Sequence, residues 1–230
     1  MKVLLADLDL TCGMIRFLLK LPQDLSIVDA LSRAAEMDAS LWPQLVTSRE
    51  GVDILHSGMV NPQAHLEPPQ VQGLIDFARG NYNALFFDMS GNLERHSLYV
   101  MQESKRVFVV CNPEPSSIFL GREKIEFLRS LGLGARIAVI VNRADQALAL
   151  TLADVERDLG VPVAATFSDD TFAVHRAIKG GRSLFGDPKQ KNTALASQYA
   201  CFVNTLLEAG SSGRTSKQAA DNPARTPVLA

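Results

Sequence analysis

Short apolar runs recur along the chain and are separated by longer segments with apolar residues at helical spacing. The runs are rich in valine, isoleucine and phenylalanine, which is typical of buried β-strands. The predicted strands are residues 3–7, 52–56, 84–88, 106–111, 136–142 and 162–167. The predicted helices are residues 26–36, 69–79, 93–103, 116–131, 151–159, 170–179 and 194–208.

The alternation of strands and helices predicts an α/β fold. Parallel strands need crossover connections of this length, and the crossovers place helices on the faces of the sheet. We therefore expect a mostly parallel sheet with helices on both faces, forming one domain over residues 1–208. The segment 209–230 is rich in small, polar and proline residues and lacks an apolar face. We expect it to be a disordered tail.

Two predicted helices carry clear end signals. Thr151 precedes an apolar pattern and has Asp154 three positions later, which is the arrangement of a capping box. Gly160 follows the same helix, and Gly132 follows the helix over 116–131. Glycine just past the last turn is the usual C-terminal stop.

The composition is that of a globular protein without a strong charge bias. Apolar residues make up 47% of the chain, charged residues 21%, and the formal net charge is -2. This balance gives no global reason to expect a nucleic-acid partner. The three cysteines have no metal-ligand spacing, and we see neither a membrane-spanning stretch nor an export signal. We expect a cytoplasmic protein whose cysteines are reduced.

The candidate functional residues stand at the ends of the predicted strands, because ligands of parallel sheets bind beyond the carboxyl ends. Asp88 follows the apolar run "ALFF". Many nucleotide hydrolases hold Mg²⁺ with an acid at the end of such an apolar strand. A helix cap or a solvated acid is the alternative for Asp88. Asp7 and Asp9 would point to one face of an extended strand and could orient water or hold a metal. Acids at strand ends are common, so this pair alone is a weak signal.

Two later strand ends carry further polar groups. Asn142 could present its amide to a purine edge, with a turn-forming asparagine as the alternative. The stretch "FSDDT" could line the same pocket, or Ser168 or Asp169 could cap the following helix. The four histidines share no metal spacing, and no serine lies in a G-x-S-x-G context. The residue pattern therefore favours a nucleotide site over a zinc centre or an acyl-transfer site.

The order of these parts resembles the MinD/ParA family of deviant Walker ATPases, and within it the CpaE/TadZ branch associated with pilus assembly. The resemblance to its second strand and Asp-x-Asp motif lies in "VLLADLDLTCGM", and that to its Walker B segment in "ALFFDMSGN". The Asn-Arg strand is similar to "IAVIVNRAD", and the final strand with its loop is similar to "VPVAATFSDDTF". The match runs from about residue 2 to residue 208.

The resemblance implies roles for the strand-end residues. Asp9 would be the catalytic acid that positions water or Mg²⁺, and Asp88 would be the Walker B metal ligand. The base-side residues would be Asn142, Arg143, Asp169 and Asp170. The family binds ATP and Mg²⁺ and dimerises around the nucleotide, so we expect a homodimer that serves pilus or secretion assembly proteins. We expect no specific nucleic acid and no membrane insertion through the tail.

One departure from the family pattern concerns the phosphate-binding loop. Family members begin with a strand and a loop of the form K-G-G-x-G-K-T/S-T, whose backbone N–H groups and lysine hold the phosphates. The printed sequence has no such loop, so we expect a MinD/ParA-type fold without its first strand, P-loop and first helix, and with impaired ATP binding. We expect a truncated reading frame to account for the missing loop, with a true pseudo-ATPase as the other explanation. The alternative functions are a non-enzymatic pseudo-ATPase scaffold and a ParA-type DNA-partitioning protein.

Overall fold

The computed structural model describes residues 1–22, 25–33, 37–61, 63, 66–144, 150–186, 193–215 and 228–229. The chain divides into two compact units, where the sequence predicts a single domain over 1–208. The first unit comprises Met1–Lys105, Ile178–Ser183 and Ala224–Ala230, and the second comprises Arg106–Ala177 and Leu184–Pro223.

Eight strands and nine α-helices lie in the described residues. The strands are β1 (Val3–Asp7), β2 (Thr47–Arg49), β3 (Val52–Leu55), β4 (Ala84–Asp88), β5 (Val107–Cys111), β6 (Ile137–Val141), β7 (Val163–Thr166) and β8 (Val228–Leu229). The helices are α1 (Ile15–Leu18), α2 (Ile27–Ser32), α3 (Trp42–Leu45), α4 (Pro68–Asn81), α5 (Arg95–Glu103), α6 (Pro115–Ser130), α7 (Leu152–Leu159), α8 (Thr171–Gly180) and α9 (Ala194–Thr215).

The first unit is built on a five-stranded sheet with the order β2-β3-β1-β4-β8. All its pairs are parallel except β2 with β3, which form a hairpin. On one face Leu4, Ala6 and Leu8 join a core made with α2 and α4. On the other face Leu5 packs with Ile15 of α1. Alternate residues of β1 are thus buried on opposite faces, as the strand period requires.

The second unit is built on a parallel three-stranded sheet with the order β5-β6-β7. All five residues of β6 are buried, as expected for a central parallel strand. On one face Gly121 of α6 lies directly over the sulfur of Cys111. On the other face Tyr199 of α9 stacks on Phe167, with ring centroids 3.9 Å apart. Helices therefore cover both faces of this sheet.

The six predicted strands are confirmed, each to within one residue at either end. The seven predicted helices are also found, although α2 ends at Ser32 and positions 34–36 lie outside the described residues. The end signals are confirmed as well. Thr151 and Asp154 form a capping box, and Gly160 has a left-handed conformation with φ of 63°.

Four elements were not predicted, and all of them are short. They are α1, α3, β2 and β8. The strand β2 consists of three polar residues, so it carries no apolar pattern. The turn that joins β2 to β3 contains Glu50 and Gly51, both with positive φ. In the segment predicted to be a disordered tail, α9 runs on to Thr215 and β8 lies near the C-terminus. Positions 216–227 and 230 lie outside the described residues.

Candidate functional site

The register of two neighbouring strands brings strand-end acids together in the first unit. Asp7 is the last residue of β1 and pairs with Asp88, the last residue of β4. Just beyond, the amide of Leu8 donates to the backbone oxygen of Asp88 at 2.8 Å. Because parallel strands end at the same edge of a sheet, acids far apart in sequence become neighbours here.

Asp7 is fully buried beneath this edge. Its Oδ1 accepts the amide of Asp9 at 3.1 Å, and its Oδ2 accepts the amide of Ile15 at 3.3 Å and the hydroxyl of Ser57 at 3.2 Å. Burial, together with the nearby negative charge of Asp88, raises the pKa of Asp7 to about 6, although the three hydrogen bonds act to lower it. Asp7 therefore gains or loses a proton close to neutral pH.

Asp9 lies in a turn, because the strand ends at Asp7. The expectation that both acids extend from one strand therefore does not apply. The Oδ1 of Asp9 accepts the amides of Thr11 at 3.1 Å and Cys12 at 2.8 Å, and the hydroxyl of Thr11 at 2.9 Å. Its Oδ2 has no hydrogen-bond partner among the residues described. The turn thus fixes the carboxylate through one oxygen and leaves the other available.

Asp88 differs from both other acids in having no hydrogen bond to its carboxylate from any described residue. The residue retains more than a third of its accessible surface, yet surrounding protein desolvates the carboxylate and raises its pKa. The negative charge of Asp9 raises the pKa of Asp88 further. A desolvated acid without donors is one that a cation would stabilise.

The backbone at Gly13 approaches these acids closely. A Cβ atom there would lie 2.1 Å from the hydroxyl oxygen of Ser57, 2.5 Å from the backbone oxygen of Asp9 and 2.7 Å from Oδ2 of Asp7. No side chain fits at those distances, so glycine lets the turn close over Asp7. The sequence shows Gly13 only as a glycine near two acids, and its steric role becomes visible in the fold.

The acids offer a place for a hard cation. The open Oδ2 of Asp9 and the carboxylate of Asp88 are oxygen ligands of the kind Mg²⁺ takes, usually with several waters and only one or two carboxylates. No group of three or more His, Cys, Asp or Glu side chains in the described residues could hold a metal by itself. The chemistry of the donor set therefore fits a partly hydrated Mg²⁺.

In the second unit, Asn142 follows β6 directly. Its amide donates to the backbone oxygen of Cys111 at 2.8 Å, which continues the sheet ladder by one bond. Arg143 follows in the left-handed region with φ of 53° and is exposed. The side chains of both residues lack hydrogen-bond partners within the described part of the chain. As far as the described residues go, both side chains are available to a ligand.

Asp169 and Asp170 lie between β7 and α8. Oδ1 of Asp170 accepts the amide of Ala173 at 2.9 Å, so Asp170 is the cap of α8. The alternative prediction, that Ser168 or Asp169 caps this helix, was wrong about the residue. Asp169 is exposed and accepts the hydroxyl of Thr171 at 2.9 Å. Only Asp169 of this pair keeps an exposed carboxylate.

The search for polar residues at the carboxyl ends of the strands thus found two groups. Asp9 and Asp88 meet within the first unit, and Asn142, Arg143, Asp169 and Asp170 follow the neighbouring strands β6 and β7 of the second unit. The search missed the part played by Ser57, whose hydroxyl reaches Asp7 from 50 positions away. No local pattern in the sequence marks that serine.

Solved structures similar to this chain include ParA and MinD ATPases. A ParA family ATPase from Chlorobium tepidum matches with a TM-score of 0.78 and 20% identity over 90% of this chain and 85% of that chain. The septum site-determining protein MinD from Pyrococcus horikoshii, complexed with Mg-ADP, matches with a TM-score of 0.73 and 19% identity over 91% and 84%. The fold is that of the MinD/ParA ATPases.

A plasmid partition protein from Borrelia burgdorferi bound to AMPPNP also has this MinD/ParA fold. It matches with a TM-score of 0.69 and 16% identity over 90% of this chain and 87% of that chain. Neither a protein-family model nor a curated protein matches the chain. At these identities the likeness concerns the fold. Separately, the helices in the described ranges include none with the length and apolar character needed to cross a bilayer.

Proposed function

We propose that the chain is a MinD/ParA-family nucleotide switch of the CpaE/TadZ branch. In this proposal it acts in the cytoplasm, where ATP-dependent dimerisation and localisation serve a pilus or secretion machine. The observation that carries the proposal is that Asp9, in the turn after β1, lies near enough to Asp88, at the end of β4, for its charge to raise the pKa of Asp88. One carboxylate oxygen of Asp9 and both of Asp88 lack hydrogen bonds to described residues, and the pKa of Asp88 is raised.

In this function Asp88 would hold Mg²⁺ directly or through water. Asp9, fixed by the amides of Thr11 and Cys12, would orient the attacking water or complete the metal shell. When bound, the ion supplies neutralisation of the phosphate charge. Asn142, Arg143 and Asp169 would face the base, and Asp170 would hold the loop as the cap of α8.

Three structural neighbours were solved with a nucleotide or with a protein partner, which supports both for this chain. MinD from Pyrococcus horikoshii was solved with Mg-ADP, and the Borrelia partition protein was solved with AMPPNP. MinD from Aquifex aeolicus was solved in complex with MinC. By analogy, we propose ATP, Mg²⁺ and an assembly protein for this chain. The choice of pilus or secretion machinery comes from the resemblance of the motifs to the CpaE/TadZ branch.

We further propose that the 230-residue chain by itself binds ATP weakly. No glycine-rich loop followed by Lys and Ser or Thr occurs in its sequence. In P-loop proteins, that loop supplies the backbone donors and the lysine that offset desolvation of the triphosphate. The carboxylates of Asp9 and Asp88 can hold a cation, but they repel phosphates when no cation is bound.

Thermal unfolding with increasing Mg-ATP tests the proposal. Ligand that binds only the folded state raises the midpoint temperature by an amount that grows with the logarithm of its concentration relative to its dissociation constant. We expect a small rise at high Mg-ATP that disappears with EDTA and in Asp88→Asn. Glu126→Gln, which changes an exposed acid on α6, is the matched control and should keep the rise. An equal rise in Asp88→Asn, or none in the unaltered chain, would contradict the proposal.

The second candidate is a scaffold that uses the fold without hydrolysis, and the lack of a phosphate loop in the sequence favours it. Fusing a glycine-rich strand-loop-helix segment to Met1 separates the two functions. The switch function predicts a large gain in ATP affinity and slow turnover for the fusion. A fusion that folds but gains neither would favour the scaffold.

A further inference from the structure

The strand β4 is central to the first unit and is not protected equally on its two sides. All five of its residues pair in register with β1. Leu85 is completely buried and Phe87 is only 5% exposed. The backbone groups of such a strand lie against the core, so the side away from β1 needs hydrogen-bond partners of its own.

That second side is covered by the C-terminal residues of the same chain. The strand β8 runs parallel to β4, with Val228 opposite Leu85 and Leu229 opposite Phe86. Ala84, Phe87 and Asp88 have no cross-strand partner on this side among the described residues. The described part of this cover, Val228–Leu229, is therefore shorter than β4.

A strand of two residues is held weakly. Ordering its backbone loses conformational entropy, and the few hydrogen bonds it gains offset that loss only about evenly. Among the described residues, the last pair is Phe86 with Leu229, two residues before Asp88. A longer extended segment would pair along the whole of β4 and end beside the candidate acids.

We propose that the side of β4 opposite β1 is a binding site for an extended apolar segment. Its resident occupant is the C-terminal segment of this chain, which docks as β8 and can be displaced. The chemistry is that of strand addition, in which main-chain hydrogen bonds give affinity and apolar side chains give register. The inference does not depend on nucleotide binding, and each of the two can fail while the other stands.

A disulfide pair tests the docked position. Phe86→Cys and Leu229→Cys place two thiols at paired positions. The exposed Cys12 and Cys201 are changed to serine, and the buried Cys111 is kept. We expect mild oxidation to give an intramolecular disulfide in monomeric chain. Thr47→Cys with Leu229→Cys is the control, because β2 and β8 are the two opposite edges of the same sheet.

The cross-linking results decide whether β8 docks on β4 and whether it comes from the same chain. An intramolecular bond that forms several-fold faster than in the control supports the docked strand. Equal rates would overturn it. A disulfide-linked dimer would overturn the assignment of the occupant to the same chain, because the strand would then come from a second copy. Circular dichroism and thermal unfolding of both variants show whether they fold. If Phe86→Cys is unstable, Leu85→Cys with Val228→Cys places two thiols at the other paired position.

Displacement is tested in the full chain with a synthetic peptide of residues 224–230 that carries Leu229→Cys. Trapping by Cys at position 86 reports binding even when affinity is low. We expect trapping to become several-fold faster when the chain itself carries Leu229→Pro, because proline removes a ladder donor and releases the resident strand. Equal trapping with and without that substitution would overturn displacement.

Discussion

At the scale of single residues, three carboxylates at one sheet edge differ because their surroundings differ. Asp7 is buried with three donors, Asp9 is held by a turn through one oxygen, and Asp88 has no donor from the described residues. Sequence reasoning found Asp9 and Asp88 because both follow apolar runs. It could not rank the three acids, since burial and the hydroxyl of Ser57 depend on the tertiary fold.

The raised pKa of Asp7 makes stability depend on pH. The pKa rises from an ordinary value of 3.8 to about 6, so between these values the folded state binds more protons than the unfolded state. The free energy of unfolding should therefore decrease as pH rises through this window, by about 3 kcal/mol from this group. Urea denaturation at several pH values measures the slope.

The variant Asp7→Asn isolates this contribution. Asparagine cannot accept all three hydrogen bonds, so we expect the variant to be less stable at every pH. Because asparagine carries no charge, position 7 no longer titrates in the variant. The difference in unfolding free energy between the unaltered chain and the variant should therefore grow as pH falls from about 6 to about 4. A difference that is constant across that range would show that Asp7 ionises normally.

Gly13 makes a steric prediction at the same site. An added methyl group would meet Ser57, Asp9 and Asp7 at 2.7 Å or less, and backbone atoms cannot yield easily. We expect Gly13→Ala to destabilise the fold by about 1–3 kcal/mol. Gly80→Ala is the control, because nothing lies within 4 Å of its added Cβ and the residue is helical. That variant should be neutral or gain up to about 1 kcal/mol.

At the scale of elements, the apolar pattern predicted what is long and buried and missed what is short. The strands β1, β4 and β6 are continuous apolar runs between turns, and tertiary packing agrees with that local preference. The strands β2 and β8 have three and two residues, which is too few to show a period of two. Their pairing comes from a neighbouring strand, so it could not be found locally.

The capping box of α7 gives an element-scale prediction. The hydroxyl of Thr151 accepts the amide of Asp154 at 3.2 Å, and the carboxylate of Asp154 accepts the amide of Thr151 at 3.0 Å. Thr151→Ala should lower the free energy of unfolding by about 0.5–2 kcal/mol, measured in urea. Ser116→Ala removes an exposed hydroxyl in the first turn of α6 and should change stability by less than about 0.5 kcal/mol. Equal losses in both would argue against the box.

At the scale of the whole molecule, the predicted fold class is confirmed, while the function still depends on a few residues. The alternation of strands and helices sufficed for the fold because parallel sheets with crossovers leave few topologies. It could not separate a switch, a scaffold and a DNA-partitioning protein, since all three use one fold. The structural neighbours include both MinD and partition proteins, so the distinction must come from charge and from the site.

Net charge supplies the last prediction. Twenty-three basic residues against 25 acidic ones leave the chain at -2, without the excess that non-specific duplex binding requires. We expect no shift in the fluorescence anisotropy of a labelled random duplex at physiological salt, with or without Mg-ATP. Binding that weakens steeply as salt rises would instead reveal a local basic surface strong enough to offset the net charge. The DNA-partitioning alternative would then be favoured over the pilus or secretion switch.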